Sequence, residues 1–369
     1  MQKSGIMEKE RTMMAEDFRR CTRCILPDSH PTISFNDQGI CNFCLEPIAE
    51  RENYTELKQQ LDKIIESYRG KGRYDVILGL SGGKDSTYVA YYLKKEYNLK
   101  ILGFNFDNGY RSEIAIRNLS ALVDNLGIDL VTVRPNQAFM KRLYGHFLKK
   151  QGEFCSVCNN LGYVYMASFC CDQKKTLGYS PLTVGGWSRI YEYQPGVSVT
   201  SLQYFFQNLN RELEEELMSQ VTLDANVIRT YKRLRDPRQV KIGSKDYEEN
   251  KEYLIDLIQL PDYVEWDLMR IPQILKKELG WEQPSGKHDS HFDCSLFPIK
   301  EFLKYKKFGL TQETIKNSTL IRRGVMTRNE ALQRMALEQR TEPDRYQDFI
   351  DELGLHRSEI NDRAEWSRE

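Results

Sequence analysis

Three groups of residues in this chain have types and spacings that could do chemistry. The first is Ser81-Gly82-Gly83-Lys84-Asp85-Ser86-Thr87, which follows a short apolar run from Tyr74 to Leu80 and precedes a helical pattern. A glycine loop between a strand and a helix suits a phosphate. Its glycines let backbone N–H groups reach the oxygens with no Cβ in the way. The helix adds the positive end of its dipole. Ser81, Ser86 and Thr87 supply hydroxyls, Lys84 a point charge, and Asp85 a carboxylate that could help hold Mg2+. The spacing is too short for the GxxxxGK[ST] loop. A plain glycine turn with polar neighbours is the competing reading.

The second group is Cys21-Thr22-Arg23-Cys24 and Cys41-Asn42-Phe43-Cys44, two CxxC pairs separated by 16 residues. That spacing points to a tetrahedral Zn2+ with four thiolate ligands and no open position, hence a structural clip. Two disulfides or a redox pair are the alternatives. The third group is Cys155 and Cys158, at the start of a helical stretch, with a lone Cys294 in His291-Phe292-Asp293-Cys294-Ser295. Soft thiolates select iron–sulfur or zinc. A helix N-terminus is expected to lower the thiol pKa, and three ligands leave one coordination position open. A cluster, a structural zinc, and a metal-free pair carrying persulfide all remain open on these residues. Cys170 and Cys171 read as core residues in a helix. His288 and His291 could move protons, although a surface histidine is the more usual outcome.

The elements that must position these groups follow the apolar pattern. Tyr74–Leu80, Ile101–Phe106, Leu130–Val133 and 181–186 read as strands, and 87–96, 112–126, 139–151 and 159–171 as helices. Strand and helix in alternation predict an α/β fold, a doubly wound parallel sheet. Ligands of such sheets bind beyond the carboxyl ends of the strands. Asp107 and Asn108 after the second strand, and Gly186 and Arg189 after the fourth, therefore join the loop as candidates, with an Asx turn as the plainer role for the first two. Residues 201–280 read as charged and mostly helical. Thr327 and Glu330 have the spacing of a capping box opening a further helix. The expected organisation is a polar segment 1–20, a zinc ribbon 21–48, an ATP domain 49–200 and a helical region 201–369 that contributes Cys294.

Composition narrows the function. Lys plus Arg and Asp plus Glu each number 53, which disfavours a broad nucleic-acid footprint and favours a small-molecule substrate. No apolar run is long enough to cross a membrane, and Met1–Arg20 lacks the apolar core of a signal peptide. A cytoplasmic enzyme is expected.

The loop resembles the SGGxDS signature of the PP-loop ATP pyrophosphatases. That resemblance implies cleavage of ATP between the α and β phosphates, with the loop holding pyrophosphate while AMP passes to a substrate oxygen. The segment from Cys21 to Cys44, with Pro27, Asp28, Pro31, Ile33, Phe35 and Gly39, is similar to the start of the N-acetyl sugar amidotransferases of surface-glycan pathways. The likeness returns at Gly286-Lys287-His288 and at 321–328. It implies conversion of an acetamido to an acetamidino group with ammonia from a glutaminase partner. Cys155, Cys158 and Cys294 depart from that pattern. They resemble the sulfur-inserting PP-loop enzymes, in which three thiolates hold a [4Fe–4S] cluster and a sulfur donor supplies the nucleophile. The leading expectation is sulfur transfer to an adenylated substrate and the alternative is ammonia transfer. The substrate is a nucleotide, nucleobase or nucleotide-sugar, and the oligomeric state stays open, a homodimer included.

Overall fold

The computed structural model describes residues 18–46, 53–187, 202–234, 237–284, 292–337 and 342–361. Five strands form one sheet: β1 (Val76–Gly79), β2 (Ile101–Phe106), β3 (Asp129–Val133), β4 (Leu182–Gly185) and β5 (Asp256–Gln259). Their order is β3-β2-β1-β4-β5, and every pairing is parallel. A parallel sheet is covered on both faces, so its strands read as unbroken apolar runs. Val76, Ile77 and Leu78 are fully buried accordingly. The chain winds outward from β1 to β3, then returns to the other side of β1 for β4. The crevice of such a sheet opens where the winding reverses, between the carboxyl ends of β1 and β4.

Helices α2 (Tyr54–Tyr68), α3 (Lys84–Tyr97), α4 (Glu113–Leu126), α5 (Gln137–Gln151) and α6 (Cys155–Leu177) follow the short α1 (Asn42–Leu45). Their ends obey local chemistry. The Ser112 hydroxyl accepts from Ala115 N at the start of α4, and Asn136 Oδ1 accepts from Ala138 N and Phe139 N at the start of α5. Helix α6 is longer than the sequence reading of 159–171 at both ends. It begins at Cys155 itself, which places the CxxC on its first turn.

Beyond residue 200 the chain is mostly helical, as expected, with α7 (Leu202–Asn208), α8 (Arg211–Met218), α9 (Ala225–Arg233) and α10 (Lys245–Asn250). Strand β5 is the exception. Four residues carrying Asp256 and Gln259 give too weak a pattern to read as a strand, yet Asp256 is buried and accepts from the hydroxyls of Tyr68 and Tyr247. Helix α11 (Arg270–Leu279) then packs on α3 and α4.

The chain closes with α12 (Phe297–Phe308), α13 (Gln312–Arg322), α14 (Arg328–Leu337) and α15 (Tyr346–Glu352). The expected capping box is present at α14: Glu330 N donates to the Thr327 hydroxyl at 3.2 Å, and Thr327 N donates to Glu330 Oε2 at 2.8 Å. These last helices carry the cysteine module. Phe308, Leu310 and Ile315 share one apolar cluster with Leu26, Ile33, Ile40 and Phe43. Arg328 Nε donates to the carbonyls of Cys21 and Cys24 at 3.3 and 3.0 Å, and Arg20 Nη2 donates to Gly309 O at 2.9 Å.

His30 sits in that seam, 1% exposed, with its ring 4.7 Å from that of Phe308. Burial, aided by the charges of Lys304 and Lys307, lowers its pKa from 6.5 to about 4. The folded protein therefore keeps His30 neutral, while the unfolded chain takes up a proton as pH falls through 6.5. Stability should drop as pH falls from that value toward 4. Between about pH 7 and about pH 5.5 this amounts to roughly 1 kcal/mol. Thermal denaturation across that window should show a shallower pH dependence for His30→Gln than for the wild type; equal slopes would exclude this role.

Candidate active site

The loop after β1 is held in shape by its own side chains and by distant ones. Ser81 N donates to Ser86 Oγ at 3.2 Å, and Gly83 N donates to Ser81 Oγ at 3.2 Å. The carbonyl of Gly82 accepts from Trp281 Nε1 at 3.1 Å and from Asn118 Nδ2 at 3.4 Å. Gly82 has φ +83, and a Cβ there would stand 2.1 Å from the Ala115 carbonyl. Gly83 caps α3 with no side-chain cap hydrogen bond. Lys84 Nζ lies 2.6 Å from Asp85 Oδ1, with both side chains mostly covered. Thr87 is fully buried, its Oγ1 enclosed and unpartnered.

Gly186, after β4, abuts this turn. A Cβ on it would lie 3.0 Å from the Asp85 carbonyl, so only glycine admits this closeness of β4 to α3 without displacement. The carboxyl ends of β1 and β4 thus lie side by side. Arg189, His288 and His291 lie outside the described residues.

After β2, the Asx turns expected of Asp107 and Asn108 are present: Gly109 N donates to Asp107 Oδ1 and Tyr110 N to Asn108 Oδ1, both at 2.9 Å. The other oxygen of Asp107 pairs with Arg134 at 3.2 Å. Both carboxylate oxygens are thus in use. Asn108 has a second role, since its Nδ2 lies 3.4 Å from Cys158 Sγ and 3.7 Å from Cys294 Sγ. The structure therefore brings Cys294 to Cys158 across 136 residues of sequence. The means is a short strand-like contact. Ser112 N donates to Asp293 O at 3.1 Å, Ser295 N donates to Tyr110 O at 2.8 Å, and Arg111 faces Cys294 as an antiparallel bridge.

Around these thiols lie groups that sequence reading missed. The Tyr144 hydroxyl is 2.9 Å from Cys158 Sγ. Lys300 acts on Cys155 as a nearby positive charge and pairs with Glu301 at 3.0 Å. Neither carries a motif. Tyr144 was one apolar position among many in α5, and Lys300 is far away in sequence.

The expected lowering of the Cys155 pKa is corrected here. Burial pushes Cys155 well up and Cys158 to about 12, and it raises Cys294 as well. The helix end cannot offset this, because the Glu153 carboxylate already occupies it, accepting from Ser156 N at 3.1 Å. A bound metal would reverse the balance by drawing off the thiol protons. Cys170 and Cys171 are buried core residues, as read.

The two cysteine sets differ in compactness. The sulfurs of Cys21, Cys24, Cys41 and Cys44 all lie within 4.8 Å of one another. The Cys21–Cys44 and Cys24–Cys41 separations are 3.9 and 3.6 Å. Bonds of about 2.3 Å to one tetrahedral zinc require sulfurs about 3.8 Å apart, so this set fits a single ion. Among the described residues it is the one group this compact, and Cys155, Cys158 and Cys294 are more widely spread. Three spread thiolates suit a polynuclear cluster, whose ligands bind separate irons, better than one zinc ion.

Comparison with known proteins agrees with the fold and the loop. Residues 54–159 match the NAD synthase family, and residues 288–368 match the C-terminal domain described for WbpG-like LPS biosynthesis proteins. Over 119 residues the chain is 31% identical to the glutamine-hydrolysing GMP synthase of Pyrobaculum aerophilum, covering 31% of this chain and 24% of that protein. It is 26% identical over 144 residues to an uncharacterised protein of Methanocaldococcus jannaschii, covering 38% of this chain and 51% of that one. The aligned part is thus about half or less of each relative. Among solved structures, the U34-tRNA thiolase NcsA from Methanococcus maripaludis with its [4Fe-4S] cluster aligns over 89% of this chain and 93% of its own. Its identity is 15% and its TM-score 0.36, too loose a likeness to carry an argument about the site. The loop on its parallel sheet and the match of residues 54–159 agree in showing a PP-loop-like α/β fold, similar over that stretch to NAD synthases and GMP synthases. Among the described residues no helix is long and apolar enough to cross a membrane.

Gly82→Ala tests the loop. With φ +83 and a carbonyl 2.1 Å from the new methyl, the loop must move. We expect at least about 1–3 kcal/mol of destabilisation and loss of ATP binding, read by thermal melting and by calorimetric titration. An unshifted melting curve with intact ATP binding would contradict the geometry described for Gly82.

Proposed function

We propose that this protein adenylates a carbonyl or amide oxygen of a small substrate with ATP and replaces that oxygen with sulfur. The observation that carries the reading is the convergence of Cys158 and Cys294 on Asn108, with Cys155 on the same helix turn and Asp293, next to Cys294, against Gly83 of the loop.

The loop and the first turn of α3 hold the β and γ phosphates, and Lys84 adds a positive charge. Asp85 is the carboxylate that would help to hold Mg2+, which would add positive charge for the phosphates. The substrate oxygen attacks the α phosphorus, the bond to the β-phosphate oxygen breaks, and pyrophosphate leaves with its charge neutralised. Hydrosulfide, a donor already at the sulfide oxidation level, then attacks the activated carbon and gives up its proton. The carbon–oxygen bond breaks, AMP departs with the oxygen, and a thiocarbonyl or thioamide remains. Cys155, Cys158 and Cys294 would hold an iron–sulfur cluster, which supplies an open iron position for the donor sulfur. Tyr144 and Asn108 orient Cys158 through their contacts with its sulfur. Cys21, Cys24, Cys41 and Cys44 would hold a structural Zn2+, which would clip the module that packs on the terminal helices.

A second reading has its own support. The match of residues 288–368 to WbpG-like LPS biosynthesis proteins favours ammonia as the nucleophile, delivered by a glutaminase partner to an N-acetyl sugar. The two readings share the adenylation step and differ in what displaces AMP.

Purification without oxygen, followed by metal analysis and absorbance, separates them. Sulfur transfer predicts iron and acid-labile sulfide in addition to one zinc. Cys155→Ala and Cys294→Ala should lose the iron and the sulfur-containing product while ATP–pyrophosphate exchange persists. Lys84→Ala should slow the exchange itself by roughly 10^2- to 10^3-fold. A colourless, iron-free protein even after reconstitution, with Cys155→Ala fully active, would sink the sulfur reading. Product mass decides directly, since sulfur makes the product heavier and an imino group makes it slightly lighter. Cys24→Ser should lose the zinc and lower the melting temperature; unchanged zinc content would refute the four-thiolate site.

A further inference from the structure

We infer that Arg111 binds the phosphate of the adenylyl group, on the side of the crevice between the phosphate loop and the cysteines. The inference rests on the ATP-using reading above and adds a residue that no motif marked.

Arg111 lies on the stretch after β2 that bridges to Cys294, and its backbone is fixed on both sides by the bonds from Ser112 N to Asp293 O and from Ser295 N to Tyr110 O. Its Nε and Nη2 are buried and have no hydrogen-bond partner. A buried donor without a partner is costly, and more so on a charged group, so native structures seldom leave one unused. Burial accordingly pulls the Arg111 pKa down, while the charges of Asp107 and Asp293 oppose that pull.

Neither carboxylate closes onto Arg111. Asp107 already serves Gly109 N and Arg134. Asp293 stands against the loop instead, its Oδ2 3.4 Å from where a Cβ of Gly83 would be. Arg111 is therefore tied through its backbone to Cys294 and through its electrostatic neighbour Asp293 to the loop. Its free donors, Nε and Nη2, form the edge of a guanidinium that matches two oxygens of a phosphate. Arg134 offsets Asp107, and Arg111 with Asp293 leaves the pocket near neutral, so a phosphate there would be held by the unpaired Nε and Nη2 donors and not by surplus charge. The loop and Lys84 would take pyrophosphate, and Arg111 would keep the AMP phosphate in place after pyrophosphate has gone. The activated carbon then stays within reach of the sulfurs. The plainer alternative is a structural arginine that only balances Asp107 and Asp293.

The test uses the full chain loaded with zinc, titrated calorimetrically with AMP and, separately, with pyrophosphate. Arg111→Gln should weaken AMP binding by roughly 10- to 100-fold and leave pyrophosphate binding at the wild-type level. Arg111→Lys should recover only part of the AMP affinity, because a point charge replaces a two-pronged contact. Unchanged AMP affinity in a folded Arg111→Gln variant overturns the inference while leaving the ATP-using reading in place. Equal loss of AMP and pyrophosphate binding together with a lowered melting temperature, or failure of both variants to fold, assigns Arg111 a structural role and also overturns it. If the wild type binds neither ligand, the ATP-using reading falls and this inference falls with it.

Discussion

The site depends on one short backbone contact. Residues 110–112, just past β2, pair with residues 293–295 through two hydrogen bonds and the bridge between Arg111 and Cys294. Everything chemical about the terminal region is delivered by this contact. It sets Cys294 beside Asn108 and Cys158, and it sets Asp293 beside Gly83 of the loop. Further polar contacts secure it, with Arg345 donating to the Ser295 hydroxyl and Tyr110 donating to Glu352. The open end of a parallel sheet offers free backbone groups just beyond its strands, and here a distant segment uses them.

Burial is the second organising force, and it acts against charge. The thiols of Cys155 and Cys158 are enclosed by Tyr144, Phe154 and neighbouring core residues, and their pKa values rise. Lys300 and Glu153 pull Cys155 in opposite directions. Lys304, one turn along α12 from Lys300, falls to about 8 through burial and then through the charge of Lys300. Such a pocket tolerates thiolates only with cationic help, which is what a metal would add.

The cysteine module belongs mechanically to the end of the chain. Its apolar side faces α12, α13 and α14, and Arg328 binds two of its carbonyls. Helix α12 carries both this seam, at Phe308, and Lys300 near Cys155. A clip at the module would therefore steady one wall of the cysteine pocket from the far end of the same helix.

Much of this was legible in the sequence, for local reasons. The loop, its strand and its helix are contiguous, and a phosphate loop is built from backbone geometry that glycine spacing reveals. The two CxxC pairs are close enough in sequence for their spacing to encode one tetrahedron. The parallel sheet followed from alternating apolar runs. Strand β5 was missed because its burial comes from pairing with β4 and not from its own four residues. The Cys155 pKa was misjudged because helix position is visible in sequence and enclosure is not. The sequence by itself determined the loop, the metal knuckles and the class of fold, all of which are short-range patterns. Only the tertiary structure decided that Cys294 meets Cys158, that Asn108 and Tyr144 contact them, and that Arg111 has two buried, unpaired donors. Those facts depend on residues up to 186 positions apart, brought together by backbone pairing and burial that no local pattern records.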